Sequence, residues 1–386
     1  MIDPSHRLAR IDASLDSHAG LAVVGPWRAG KRDVVQRLSQ DWGGLRVHWF
    51  DGLMPADVAR LREPEATLGP LAGVVVLNEV SLSRELAGVV GRLLARRPCP
   101  ARFVIVASTS ACELGRIDDL APGALAWEWY DGLACWEVGA ENPQRLWLRG
   151  GLPGSYEAAS DHESLRCRRE VAALLLPRAA DLMIDRSDIT RLRSVWGQIA
   201  LLHGDVWNAS EIARRVRASD YAVGYDLTTL ADAFAVRVLK AWRQLGVSKR
   251  QVSAPRVYVR DSGLLHAMLG IQTLEQLLEH GAAGASWRGF VIGQVIALLH
   301  AAPSESFYWR THAGAELDLL IVRGQRRWGF AVQHAQRPRI TRSMRRVMAD
   351  LQLDRLHVVH AGAESLDLDE RIRAVALADL HKEVAS

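Results

Sequence analysis

Leu21-Ala22-Val23-Val24-Gly25-Pro26-Trp27-Arg28-Ala29-Gly30-Lys31-Arg32 decides how this chain is read. Its apolar run is that of a buried strand, its two glycines bracket a turn, and Lys31 opens an amphipathic segment continued by Val34, Val35 and Leu38. Strand, glycine loop and helix in that order form a phosphate cradle: backbone amides curl around the anion, the helix N-terminus adds its dipole, and Lys31 reaches the outer phosphates. The expected nucleotide contacts are Gly25, Pro26, Trp27, Arg28, Ala29, Gly30, Lys31 and Arg32, together with Asn78 further along the chain. A complete loop continues with Ser or Thr, whose hydroxyl holds magnesium. Arg32 stands there instead, a cation with no acceptor atom. An ordinary glycine turn is the alternative reading.

Outward from the loop, apolar runs at Leu21 to Val24, Val47 to Phe50, Val74 to Leu77 and Phe103 to Ala107 alternate with helical patterns. That rhythm predicts an α/β domain with a parallel sheet flanked by helices. Asn78 and Glu79 end one strand and Ser108-Thr109-Ser110 another, at the carboxyl edge where such sheets bind ligands. Gly150-Gly151-Leu152-Pro153-Gly154 breaks the chain, and a mostly helical stretch is expected to run to about Gly246. Within it, Asn208 and Glu211 give a capping-box signature ahead of Arg214, Arg215 and Arg217, in a pattern like a helix-turn-helix. Strands return after Val257: a hairpin from Phe307 to Val322, then Gly329 to Gln333 and Leu356 to His360.

Composition bounds the rest. With 386 residues, 49% hydrophobic and 24% charged, the chain is long enough for two or three globular domains. No apolar run approaches the roughly 18 residues needed to span a bilayer, and the N-terminus lacks a secretory core, so a cytoplasmic location is expected. Cys99, Cys112, Cys135 and Cys167 are scattered, which fits thiols in a reducing compartment and no zinc site. A net charge of +4 permits an anionic partner without requiring one, although arginines cluster again at Arg337, Arg339, Arg342, Arg345 and Arg346. The bland reading of both clusters is a solvated helix face.

Taken together, these blocks resemble the prokaryotic AAA-type ATPases whose C-terminal half is an uncharacterised domain related to the restriction-endonuclease fold. The resemblance rests on Gly25 to Lys31, Leu77-Asn78-Glu79, Leu148 to Pro153, Lys249-Arg250, Pro255 to Leu265, Gly284 to Trp287, Tyr308 to Thr311 and Gly314 to Asp318. It implies an ATP-binding P-loop domain over 1–150, a helical or winged-helix spacer over 151–250 and a nuclease-like domain over 251–386. It also implies a ring, as a homo-oligomer or mixed with a competent relative.

The departures fall on the chemistry. Family members follow the loop lysine with Thr or Ser and carry an acidic pair where this chain has Asn78-Glu79. Magnesium is therefore expected to bind weakly, with Glu79 left as a residual base. No arginine near Ala121 to Leu125 matches the family's charge-stabilising one. In the nuclease-like part Asp318 matches the first metal ligand, but Ala331-Val332-Gln333 replaces the Glu-x-Lys that would follow, and Glu316 is assigned to the other strand face. The expected protein is an ATP-binding scaffold or regulator with degraded hydrolytic and nuclease sites. The alternatives are a slow ATPase and a DNA-binding protein using Arg214, Arg215, Arg217 and the Arg337 to Arg346 segment.

Overall fold

The computed structural model describes residues 3–42, 44–109, 112–139, 142–181, 188–243 and 251–384. The chain divides into two compact units, one of Asp3–Gly132 with Asp232–Phe234, the other of Leu133–Ala231 with Ala235–Ser386. Lys249, Arg250, Gly246 and Ser110 lie outside the described residues.

The first unit is built on β1 (Gly20–Val24), β2 (Val47–Asp51), β3 (Gly73–Asn78), β4 (Ala101–Ala107) and β5 (Leu125–Trp129). The strands are all parallel, in the order β2-β3-β4-β1-β5. Alternate residues feed two cores: Ala22, Val24, Val75, Leu77, Phe103 and Ile105 on one face, Leu21, Val23, Val74, Val76, Val104 and Val106 on the other. Burial on both faces is why these strands read as continuous apolar runs. β5 was not expected, because Glu128 interrupts its apolar pattern; the side chain is buried and held by Arg10. β2, β3 and β4 lie on one side of β1 and β5 on the other, so the sheet reverses its order beside β1, where ligands of open α/β sheets bind.

The second unit opens with helices and closes on a mixed sheet. Its strands are β6 (Val236–Ala241), β7 (Arg256–Val259), β8 (Ser306–Arg310), β9 (Glu316–Arg323), β10 (Arg326–Gln333), β11 (Leu356–His360), β12 (Leu366–Asp369) and β13 (Ile372–Ala376). They follow the order β12-β13-β11-β10-β9-β8-β6-β7. The expected hairpin is β8 and β9, turning at Gly314 with φ 87°. The helical run ends at Asp232, short of Gly246, since the β-branched Val236 and Val238 enter a strand that pairs with both β7 and β8.

Several of the quoted motifs meet in this unit's core. Asp261 accepts hydrogen bonds from Gly151 N at 2.7 Å and Leu264 N at 2.8 Å, capping the helix Ser262–Met268. A Cβ on Gly150 would lie 2.2 Å from Asp261 Oδ1, and one on Gly263 2.2 Å from Arg149 O, so each glycine is required by close approach. Buried Arg168 donates to Leu148 O and Gly263 O, and burial lowers its pKa to about 10. His266 Nδ1 meets Leu148 O at 2.9 Å and its Nε2 meets Ser286 Oγ at 2.7 Å, while Trp147 Nε1 donates to the same Ser286 oxygen. These motifs are the joints of a core.

Two histidines make that core acid-sensitive. Burial pushes both His203 and His266 down to about 3, and His203 Nδ1 accepts from Val259 N at 3.1 Å, a bond that a second ring proton would destroy. The folded pKa lies below the unfolded value, so this stability is complete above pH 6.5 and falls as the unfolded chain takes up protons below it. Each histidine loses about 1.4 kcal/mol per pH unit over that window. Asp261 and Asp318, pushed up by burial, act in the opposite sense near their own range and offset part of the loss. Urea unfolding should show a midpoint clearly lower at pH 5 than at pH 7, with His203→Gln flattening the difference. Equal midpoints would contradict it.

Candidate functional site

Gly25 follows β1 and Gly30 opens the helix Lys31–Asp41 with φ 97°, a left-handed conformation natural to glycine. The two glycines differ in role. A Cβ on Gly25 would fall 1.8 Å from Tyr130 O, so packing against the chain after β5 requires that glycine whether or not a ligand binds. Ala29 and Pro26 are buried, Arg28 sits at φ 60° with its guanidinium 4.6 Å above the Trp27 ring, and Arg32 is exposed.

Lys31 is buried and points back into the loop. Its Nζ donates to Gly25 O at 2.9 Å, Pro26 O at 2.7 Å and Ser108 Oγ at 2.9 Å, and lies 3.6 Å from Glu79 Oε1. Ser108 Oγ in turn donates to Glu79 Oε1 at 2.5 Å. The sheet therefore brings together three sequence-predicted groups, Lys31, Glu79 and Ser108. Glu79, at φ 49°, is engaged by the Ser108 hydroxyl and lies beside the Lys31 ammonium.

Magnesium at a nucleotide is held by one or two protein oxygens together with phosphates and waters, and the position after Lys31 offers no oxygen for it. Where the hydroxyl ligand would stand, Arg32 Nη1 lies 3.0 Å from Asp51 Oδ2, a fixed positive charge on the nearest strand-end carboxylate. Asp51 pairs in register with Asn78 on the neighbouring strand, and Asn78 Oδ1 is buried without a hydrogen-bond partner among the described residues. Among the described residues, no cluster of three His, Cys, Asp or Glu side chains could hold a metal ion. The loop keeps the features that hold phosphate, a glycine-headed helix and a lysine, while the unpartnered Asn78 oxygen is an acceptor and adds nothing to phosphate binding. Asp51 was missed in the sequence, and its one signal is its place as the last residue of a strand adjoining β3.

In the second unit Asp318 is buried on β9. Its Oδ1 lies 3.0 Å from Arg288 Nε and 3.7 Å from Arg256 Nη1, and its Oδ2 accepts from Val332 N at 2.8 Å. Arg256 also reaches Glu316 Oε2 at 2.7 Å, which corrects the assignment of Glu316 to the opposite face: residues two apart on a strand share one. Gln333 donates to Arg339 O and accepts from Arg339 N, stapling the loop after β10. Arginines therefore surround the carboxylate that a nuclease would give to metal.

Asn208 caps the helix Ala209–Val216 by accepting from Glu211 N, but the Glu211 carboxylate turns to Arg215 at 2.6 Å instead of completing the box. Arg215 also donates to Gln198, Arg214 donates to Ser210 O, and Arg217 ends the helix at φ 55°. The following helix, Asp220–Asp232, contains three aspartates and no lysine or arginine.

Among the described residues, no helix is long and apolar enough to cross a membrane. Among solved structures, the chain is similar to the Walker-type ATPase PABY2304 of Pyrococcus abyssi, with a TM-score of 0.47 and 11% identity over 70% of this chain and 96% of that one. It is also similar to Drosophila ORC bound to AT-rich DNA and Cdc6, with a TM-score of 0.23 and 12% identity over 71% of this chain and 90% of that one. Likenesses so distant decide neither fold nor function. Two family descriptions match, both domains of unknown function: DUF8612 over residues 140–275 and DUF4143 over residues 283–380. Uncharacterized protein Rv2008c of Mycobacterium tuberculosis and uncharacterized protein Mb2031c of Mycobacterium bovis are each 34% identical over 375 residues, spanning 97% of this chain and 84% of theirs. Identity at that level over nearly the whole chain makes this protein a member of the family of Rv2008c and Mb2031c.

Proposed function

We propose that the first unit is a nucleotide-binding domain that holds ATP by its phosphates without protein-bound magnesium, and that the chain acts as a scaffold or regulator with little or no hydrolysis. The observation that carries this is the Arg32–Asp51 ion pair, 3.0 Å long, at the place a metal would need. Lys31 would exchange its carbonyl partners for phosphate oxygens. Partner subunits in a ring, whether identical or competent relatives, rest on the family resemblance.

For the rest of the chain the reading keeps the boundaries 1–150, 151–250 and 251–386. Three helices, Ile189–Leu201, Ala209–Val216 and Asp220–Asp232, followed by β6 support a winged-helix spacer over 151–250, with β7, the antiparallel partner of β6, falling just past that boundary. The helix Ala283–Leu299, strands β8, β9 and β10, the helix Arg342–Asp350 and then β11 support an inactive nuclease-like domain. A slow ATPase remains the second reading, because a carboxylate, Glu79, still follows β3 within 3.6 Å of the Lys31 ammonium. DNA contact through Arg214, Arg215 and Arg217 is weakened by the ion pair of Arg215 and by the acidic helix that follows.

Equilibrium binding of a fluorescent ATP analogue tests the proposal. The affinity should change less than threefold between excess EDTA and millimolar magnesium, and Lys31→Ala should abolish binding. Because Lys31 makes three buried hydrogen bonds, that variant must be shown folded by circular dichroism. Absence of binding, or binding that requires magnesium, would refute the reading.

A further inference from the structure

Between Gln336 and Ala349 the sequence holds Arg337, Arg339, Arg342, Arg345 and Arg346 and no acidic residue. All five arginines are exposed. Only Arg346 is paired, with Asp350 at 3.2 Å; among the described residues the side chains of Arg337, Arg339, Arg342 and Arg345 form no ion pair. The helix Arg342–Asp350 turns Met344, Val347 and Met348 into the core, so its charged side is its outer side. Gln333 fixes the approach by bonding both the N and O of Arg339, which gives the leading arginines a defined backbone.

The charges run against the helix. Its first turn has no acid and begins with Arg342, Arg345 and Arg346 follow, and Asp350 ends its last turn. Cations at the N-terminus oppose the helix dipole, and like charges three and four residues apart repel. A surface selected for stability would carry the reverse pattern, and an anion laid along it would relieve both penalties.

We infer that this face docks the phosphate backbone of duplex DNA. Arginine grips phosphate through a planar fork of donors, and four such side chains stand here on one surface segment without an ion-pair partner among the described residues. The helix Arg342–Asp350 exposes no large apolar side chain to insert into lipid, Ala349 being its one exposed apolar residue, and the segment from Arg337 to Asp350 contains no aromatic residue on which single-stranded bases could stack. A single exposed helix also matches the B-form major groove, about 12 Å wide, better than the narrow A-form groove of RNA. The contact is with backbone and carries no sequence preference of its own.

The test is fluorescence anisotropy of the full-length chain with a 20-base-pair DNA duplex, without nucleotide, across a sodium chloride series. The triple variant Arg339→Gln/Arg342→Gln/Arg345→Gln should weaken binding at least tenfold and flatten the log–log salt slope by about 2.7, from 0.9 per lost phosphate contact. Its melting temperature should hold or rise, since it removes cations from a helix N-terminus. Arg342→Lys/Arg345→Lys should retain most of the affinity, and Arg214→Gln/Arg215→Gln should match the parent. No binding to duplex DNA, equal binding to duplex RNA or polyglutamate, or a loss of affinity confined to the Arg214/Arg215 variant would each overturn the inference. So would a fall in melting temperature of the triple variant, which would assign the arginines to stability.

Discussion

Replacing Arg32 with threonine and Asn78 with aspartate together should raise ATP hydrolysis by at least a hundredfold and make it magnesium-dependent. The first change removes the guanidinium from the metal position and frees Asp51; the second puts a carboxylate on an atom that is now an orphaned amide oxygen. A metal at that place stabilises charge on the transferred phosphate by several kcal/mol, and each 1.36 kcal/mol is about tenfold in rate. Neither single variant should suffice: Arg32→Thr leaves one uncharged anchor, and Asn78→Asp places its carboxylate near a cation that keeps metal out. Full activity is not expected, because no arginine stands near Ala121 to Leu125, where the family resemblance implies a charge-stabilising one, and such arginines are worth about a thousandfold or more. Phosphate release by the folded double variant, measured against magnesium concentration, decides the matter. A double variant that binds ATP but turns over no faster than the parent would show that the defect lies elsewhere.

Asp318→Ala should destabilise the second unit by about 3–5 kcal/mol, the usual cost of stripping one partner from a buried charge pair. The carboxylate is buried, pushed up by that burial and drawn back by Arg288 and Arg256, and its loss leaves two guanidinium groups facing each other. Urea titration followed by tryptophan fluorescence reads the change. A compensated variant, Asp318→Leu with Arg288→Met, should recover much of the loss, because an apolar replacement of a buried pair is often near neutral. A residue kept only as an idle metal ligand would behave otherwise: its removal would leave the midpoint unmoved.

Much of this was legible along the chain, for a physical reason. β1, β3 and β4 are buried on both faces, so they appear as continuous apolar runs, and the glycine loop is local in sequence. What escaped depends on partners distant in sequence. β5 is half-exposed and carries Trp127, Glu128 and Trp129, and Glu128 reads as solvent-facing until Arg10 is seen beside it. Asp51 gains meaning only from the β2–β3 register that sets it next to Asn78. Arg256, Arg288 and Asp318 come from three separate elements, so nothing in their spacing announces a cluster. Glu316 was misread through a slip in strand periodicity that Arg256 corrects by touching both carboxylates.

The arginines around Asp318 also limit how this chain can change. Removing either arginine or the aspartate alone strands a charge that its partners now balance, so each single substitution passes through a less stable protein. The three positions are therefore coupled, and substitutions among them should be tolerated in combinations more readily than one at a time.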